Sequence, residues 1–362
     1  MPNSPDILWR PSAASVDASN LTAFTDWLRA ERGVDVTTYP ELWRWSVDDL
    51  EGFWNAIFDY FRVEFDGERG PALASRDMPG ADWFPGVRLN WAERAFAGKA
   101  DDQVAILHAS ELRELAEITW GELRGKVAAC AAGLRGLGVE SGDRVVAYLP
   151  NVAEAAIAFL ATASIGAIWS SASPDFGAGS LIDRFAQIEP KVLLAVDGYR
   201  YGGKDFDRTP VVHELQAAMP SLQHTVLLPY LDREATIDGA TRWDDLLLAG
   251  EGAELTFERV PFDHPLWVLY SSGTTGLPKA IVQGQGGILI EQLKKMHLHT
   301  DAKPGDRLFW FTTTGWMMWN FIVSGLLTEA AIVLYDGNPG FPDMGALWDL
   351  AERVGVTMFG TS

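Results

Sequence analysis

The sequence predicts an α/β fold of mostly parallel sheets with helices on both faces, preceded by a helical N-terminal segment. Three observations carry this. From about Ile118 the chain alternates helical stretches with short apolar β-rich runs, the signature of a parallel sheet with crossover helices. The alternation resumes after Pro265. The tryptophan-rich region before Ile118 shows helical spacing instead. These textures divide the chain into a helical segment over 1–95, a first α/β unit over 96–265 and the start of a second over 266–362.

In chain order, "NLTAFTDWLRAERG" sets Leu21, Phe24 and Leu28 on one face and stops at Gly33. "SVDDLEGFWNAIFDYF" opens with Ser46 and Asp49 in capping-box positions, followed by Val47, Leu50, Trp54, Ile57, Phe58 and Phe61 at helical intervals. So many aromatic residues fit core packing, with a ligand platform as the alternative. "MPGADWFPGVRLNW", Met78 to Trp91, is a Pro/Gly-rich connector. A helix ending at Gly138 leads into the strand "DRVVAYLP"; a second, capped by Asn151, leads into "GAIWSSA". "SLIDRFAQIEP" and "KVLLAV" repeat the unit. After Pro265 come strands "LWVLY" and "AIVQ", then helix "GGILIEQLKKMHL", strand "RLFWFTT", helix "WMMWNFIVSGLL", strand "AIVLYD", helix "ALWDLAERVG" and strand "TMFG".

The chain has 362 residues, 48% of them hydrophobic, enough for a sizeable core. Its net charge of −20 argues against nucleic acid or an anionic membrane as the main partner, so an anionic ligand needs a local cradle. The single cysteine, Cys130 in "VAACAAGL", reads as a small core residue. The N-terminus lacks a signal-peptide pattern, and the uncharged run Ala155 to Ala172 reads as a buried helix and strand, not a membrane span. A cytoplasmic protein is expected. His297 and His299 form a lone i, i+2 pair, and no metal site is expected from the histidines.

The densest chemical signal is "VLYSSGTTGLPKA", Val268 to Ala280. Its glycines and lysine are spaced G-x-x-G-x-x-K, with Ala280 after Lys279, so the Walker pattern G-x-x-x-x-G-K-[ST] is not met. Glycines that admit close approach, beside Ser271, Ser272, Thr274 and Thr275, still make a phosphate cradle between two strands expected to be buried. "GQGGIL" fails as a dinucleotide fingerprint.

"YSSGTTGLPKA" resembles the signature loop of the acyl-adenylate-forming superfamily, and "TWGELRGKVAACAAGLRGLGVESGDRVVAYLPN" resembles its early helix–turn–strand region. "LWRWSVDDLEGFWNAIFDYF", "IWSSASPDFG" and "TTTGWMMWN" look most like the branch that activates acetoacetate. The resemblance implies ATP, Mg²⁺ and coenzyme A as cosubstrates or cofactors. A carboxylate would attack the α-phosphorus of ATP, and the coenzyme A thiol would then displace AMP. It implies phosphate binding by Ser271, Ser272, Gly273, Thr274, Thr275, Gly276 and Lys279, with Thr275 and Lys279 catalytic. Trp316, Met317 and Met318 would wall the acyl pocket, a plain core stripe being the alternative. "DGYRYGGK" resembles a segment contacting coenzyme A phosphates, making Arg200 and Lys204 candidates, with solvated surface charges as the alternative.

One departure is "IVQGQGG", which has Gln283 and Gln285 where relatives commonly carry histidine. The resemblance covers the N-terminal half or so of such an enzyme. The downstream glutamate, aspartate, hinge and lid domain are therefore expected outside these residues, and the fragment alone is expected not to turn over. Two rival readings stay open: an acetyl- or propionyl-CoA synthetase, and a non-catalytic nucleotide- or CoA-binding fragment.

Overall fold

Two sheets organise the α/β region of the computed structural model, which describes residues 8–271 and 276–361. The larger runs Ala240–Arg242, His224–Leu228, Val192–Val196, Arg144–Tyr148, Ile168–Ala172, Pro265–Ser271 and Lys279–Gly284. Its neighbours are parallel throughout, except that Lys279–Gly284 closes one edge antiparallel to Pro265–Ser271. The smaller runs Met358–Gly360, Arg307–Trp310, Ala331–Asp336, Val104–Ser110 and Ala116–Thr119, with only the last pair antiparallel.

This membership differs from the division at 265/266 read along the chain. Val104–Ser110 pairs with strands beyond 300, while Pro265–Ser271 completes the larger sheet. Alternation along a sequence identifies strands; it does not name their partners, because crossovers leave the order free.

The helices form for local reasons. Thr119 and Glu122 make a capping box that starts Trp120–Gly136, burying Leu123, Val127, Cys130 and Leu134. Burial pushes the Cys130 thiol up to about 12, consistent with an inert core residue. Ala153–Ser164 is buried on nearly every side and leads, after Gly166, into Ile168–Ala172. Among the described residues no helix is long and apolar enough to cross a membrane.

In the N-terminal segment, Asn20–Trp27 and Leu28–Arg32 bury Phe24 and Leu28, and Gly33 ends them at φ 64°, a left-handed value that glycine adopts without penalty. The next stretch departs from expectation. It is two helices, Tyr39–Asp48 and Leu50–Tyr60, broken at Asp49. Asp49 caps the second, whereas Ser46 lies inside the first and donates to the Trp43 carbonyl. The capping box of this region is Thr38 with Glu41, just upstream. Ile57 and Phe58 are buried; Val47 is exposed. In this segment Phe24, Phe53, Phe58, Phe61, Phe84 and Trp91 are buried and Trp27, Trp45 and Trp54 pack partly buried against the core, whereas Trp43 is exposed, so its aromatic residues serve mainly packing. Each such side chain removed from water contributes on the order of 1.5–3 kcal/mol.

Candidate active site

The loops that follow the carboxyl ends of both sheets converge, which is where open α/β sheets bind ligands. Hydrogen bonds tie them together. The Tyr148 hydroxyl donates to the carbonyls of Pro174 (2.8 Å) and Phe176 (3.0 Å). Thr314 donates to the Leu149 carbonyl at 2.6 Å, and Ser171 donates to the Thr314 carbonyl at 2.8 Å. Gly315 packs so closely that a Cβ there would lie 2.7 Å from the Phe176 ring.

Asn151 belongs to this junction. Val152, not Asn151, occupies the helix cap, and the Asn151 side chain accepts from the Trp319 indole at 3.1 Å while facing the carbonyls of Thr312 and Tyr335. Its short polar side chain fits a cap by sequence, but the apposed sheets supply better partners.

The phosphate signature is the tip of a β-hairpin. The register pairs Tyr270 with Ala280 and Ser271 with Lys279, which brings Ser271 and Lys279 opposite one another at its base. Ser272, Gly273, Thr274 and Thr275 lie outside the described residues. Gly276 has φ 86°, and a Cβ there would meet nothing within 4 Å among the described residues. Lys279 is exposed. Pro278 is anchored through its carbonyl, which accepts from the Gln187 amide at 2.9 Å. The strand after the loop is not buried as expected: Ile281 and Val282 are about half exposed because Lys279–Gly284 is the edge strand. Tyr270, entering the loop, has a hydroxyl without a hydrogen-bond partner among the described residues, and burial pushes it up to about 12.

The glutamines that replace the expected histidine do structural work. Gln283 accepts from the Trp267 indole, and the fully buried Gln285 accepts from the Trp91 backbone N–H at 2.8 Å. His297 is likewise internal: its ring N–H donates to the Leu293 carbonyl, and burial lowers it to about 4. Among the described residues no group of three His, Cys, Asp or Glu is placed to hold a metal.

Trp316 and Met317 are 63% and 59% exposed, and Met318 is half-buried, whereas Trp319, Ile322 and Val323 face the core. Trp316 and Met317 are therefore not a core stripe. They stand just past Gly315, the residue that packs on the Phe176 ring.

Arg200 and Lys204 lie on a second hairpin, Gly198–Tyr201 with Lys204–Asp207, turned by Gly202 and Gly203 at φ 62° and 72°. Lys204 is exposed, while the Arg200 guanidinium is forked onto Asp205 at 2.6 and 3.0 Å. This turn docks on the segment after Ala331–Asp336, not on the phosphate hairpin: a Cβ on Gly203 would meet the Phe341 ring at 2.7 Å.

Beside this hairpin opens a cavity of about 300 Å³, lined by Ser173, Asp175, Tyr199, Tyr201, Asp336 and Gly337 among others. None of these was singled out by sequence. The half-buried Asp336 accepts from the Tyr230 hydroxyl at 2.9 Å. Burial raises its carboxyl from the ordinary 3.8 to about 7; the Tyr230 bond opposes the rise, and nearby Glu111 adds to it. An aspartate closing an apolar strand gives no sequence signal of this environment.

The family described as AMP-binding enzyme matches residues 92–362, and the acetyl-coenzyme A synthetase N-terminus matches 39–95. The acetoacetyl-CoA synthetase of Rattus norvegicus is 42% identical over 98% of this chain and 54% of its own length. That of Rhizobium meliloti is 42% identical over 98% and 55%. The solved structure of acetoacetyl-CoA synthetase from Streptomyces lividans superposes with a TM-score of 0.95 at 54% identity, covering 99% of this chain and 55% of that one. The chain thus spans about half the length of the relatives it matches. With three quarters of its residues inside one family match and its fold superposing on that structure, the chain belongs to the AMP-binding enzyme family.

Proposed function

We propose that this chain forms the ATP- and acid-binding body of an AMP-forming acid–thiol ligase whose acid is acetoacetate. The observation that carries the reading is the phosphate hairpin, with Ser271 and Lys279 paired at its base at the carboxyl end of the larger sheet. In the first step a carboxylate oxygen attacks the α-phosphorus of ATP and the bond to pyrophosphate breaks. In the second the coenzyme A sulfur attacks the acyl carbon and AMP departs with its electron pair. Both reactants of the first step are anions, so the protein's work is positioning and charge neutralisation.

Ser271 to Gly276 wrap the β- and γ-phosphates, Thr275 donating its hydroxyl, and exposed Lys279 swings its ammonium onto them. Mg²⁺ bound to ATP would neutralise phosphate charge. Trp316, Met317 and Met318 wall the acid, and their exposure fits surfaces that wait for a ligand. Arg200 and Lys204 face coenzyme A phosphates, and the cavity beside their hairpin suits the slender uncharged arm of that molecule. The names of the relatives point to acetoacetate.

The test is ATP–pyrophosphate exchange by a full-length protein carrying this chain, with acetoacetate, acetate, propionate or no acid. Exchange driven best by acetoacetate is expected. Exchange with none of the acids would overturn the ligase reading, and preference for acetate would reassign the acid.

A further inference from the structure

Glu111 immediately follows the Val104–Ser110 strand and is held there by its own N–H, which donates to the Asp336 carbonyl at 3.1 Å. Its carboxylate reaches across to the other half of the molecule. Oε1 accepts from the Gly202 N–H at 2.8 Å and the Asn338 N–H at 2.7 Å, and Oε2 accepts from the Gly203 N–H at 2.7 Å. Two successive N–H groups presented by a turn with positive φ form a small concavity suited to an anion, and here an internal carboxylate fills it. Bonds of this charge-assisted kind are short and strong.

The base of the same hairpin is tied separately. Asp197 precedes it and accepts from the N–H groups of Tyr230, Leu231 and Asp232 at 2.6, 3.0 and 2.7 Å. The hairpin therefore grows from the larger sheet and is fastened at its tip to the smaller one. Its inner residues, Tyr199 and Tyr201, line the cavity that Asp336 and Gly337 line from the other side. Without the Glu111 carboxylate, the two N–H groups at the tip and that of Asn338 lose their acceptor, and this wall loses its outer anchor.

We propose that Glu111 is a positioning residue for the thiol substrate: by clamping the tip of the Gly198–Asp207 hairpin to the segment after Asp336, it fixes the wall of the coenzyme cavity. It takes no part in adenylation. This rests on the coenzyme reading above and adds to it a residue that touches no substrate.

The experiment uses a full-length enzyme carrying this chain, with Glu111→Ala and Glu111→Gln compared with Arg200→Ala and Lys204→Ala. Glu111→Ala is expected to raise the KM for coenzyme A about tenfold or more, since it removes three bonds to a charged group. Pyrophosphate exchange should change by less than about twofold, because the phosphate hairpin is anchored elsewhere. Glu111→Gln keeps a carbonyl oxygen that can serve Gly202 and Asn338, so it should restore part of the affinity. Hydrogen exchange at Gly202, Gly203 and Asn338 should accelerate in Glu111→Ala and less in Glu111→Gln.

Unchanged exchange at those three amides would show there is no clamp. Faster amide exchange with an unaltered coenzyme KM would show a clamp that serves only the fold. Equal losses in both half-reactions would do the same. If Glu111→Ala raises the coenzyme KM while Arg200→Ala and Lys204→Ala do not, the clamp stands and those two side chains lose their assignment. If the full-length protein makes no thioester at all, the coenzyme reading fails and the proposal falls with it.

Discussion

Two hairpins carry the candidate ligand contacts, and they are supported in opposite ways. The phosphate hairpin is rooted in a seven-stranded sheet: Pro265–Ser271 has Leu266, Trp267 and Val268 buried, and its tip extends beyond the last paired residues, Ser271 and Lys279. The coenzyme hairpin is a two-stranded ribbon, marginal on its own, and is fastened at base and tip by carboxylates from distant segments. The first draws its support from the sheet that it extends, with a long-range bond near its loop from the Gln187 amide to the Pro278 carbonyl. The second depends on partners far away in the chain, Glu111 being 91 residues from Gly202.

The largest effect should separate ligand contact from support at the phosphate hairpin. Lys279→Ala is expected to slow adenylation by about 10²–10³. Its side chain is exposed, so Tm should hardly move. Exchange kinetics with a thermal melt check this. A wild-type rate would remove Lys279 from the site, and the contrast with the clamped hairpin would lose its first half.

The next effect probes the cavity beside the coenzyme hairpin through pH. Asp336 has a folded value of about 7 against an ordinary 3.8, so between those values the folded protein holds a proton the unfolded chain has released. Its contribution to stability is fully present below about 4, declines through the window and is lost above about 7. Asp336→Asn keeps an acceptor for the Tyr230 hydroxyl without the charge. It should be more stable than wild type at pH 8 by on the order of 2–4 kcal/mol and close to it at pH 4. Denaturant melts at both pH values read this; a variant less stable at pH 8 would mean the carboxylate is paired rather than stranded.

This contrast also explains what was legible beforehand. The alternation of strands and helices and the Gly33 stop rest on local pattern, and the structure follows them. Asn151 was misread because a residue able to cap a helix can find a better partner through tertiary contact, and Ser46 because the preceding helix runs on through it and its hydroxyl bonds one turn back, to the Trp43 carbonyl. Lys279–Gly284 was expected to be buried because apolar content does not reveal which strand ends a sheet. Glu111 and Asp336 gave no signal at all. A lone acidic residue after a strand looks the same whether it faces water, three backbone N–H groups or a tyrosine.

A third expected effect lies in acid selectivity. Met317 is exposed beside Trp316, so exchanging it should redistribute substrates without disturbing the core. Met317→Val stiffens the wall and should change the kcat/KM ratio of acetoacetate over hexanoate about tenfold, as a methylene or two in an apolar pocket is worth about 1–3 kcal/mol. Trp316→Gly should admit the longer acid. Equal scaling of acetate, acetoacetate, butyrate and hexanoate by both changes would place the acid elsewhere.

The smallest effect belongs to the tip-clamped hairpin itself. Arg200 is not free: its two-pronged contact with Asp205 raises its own proton affinity and lowers that of Asp205, so ligand phosphate must compete with an internal carboxylate. Both groups are exposed, and such pairs are screened by water and salt. Asp205→Asn should therefore leave Tm unchanged while lowering the coenzyme A KM by about two- to fivefold at low salt, the gain fading as ionic strength rises. Arg200→Ala should shift KM the other way by a similar factor. The measurement is thioester formation across a salt series. If Asp205→Asn raises KM, then Asp205 holds Arg200 in its productive orientation, and the hairpin is organised along its length rather than from its clamped tip.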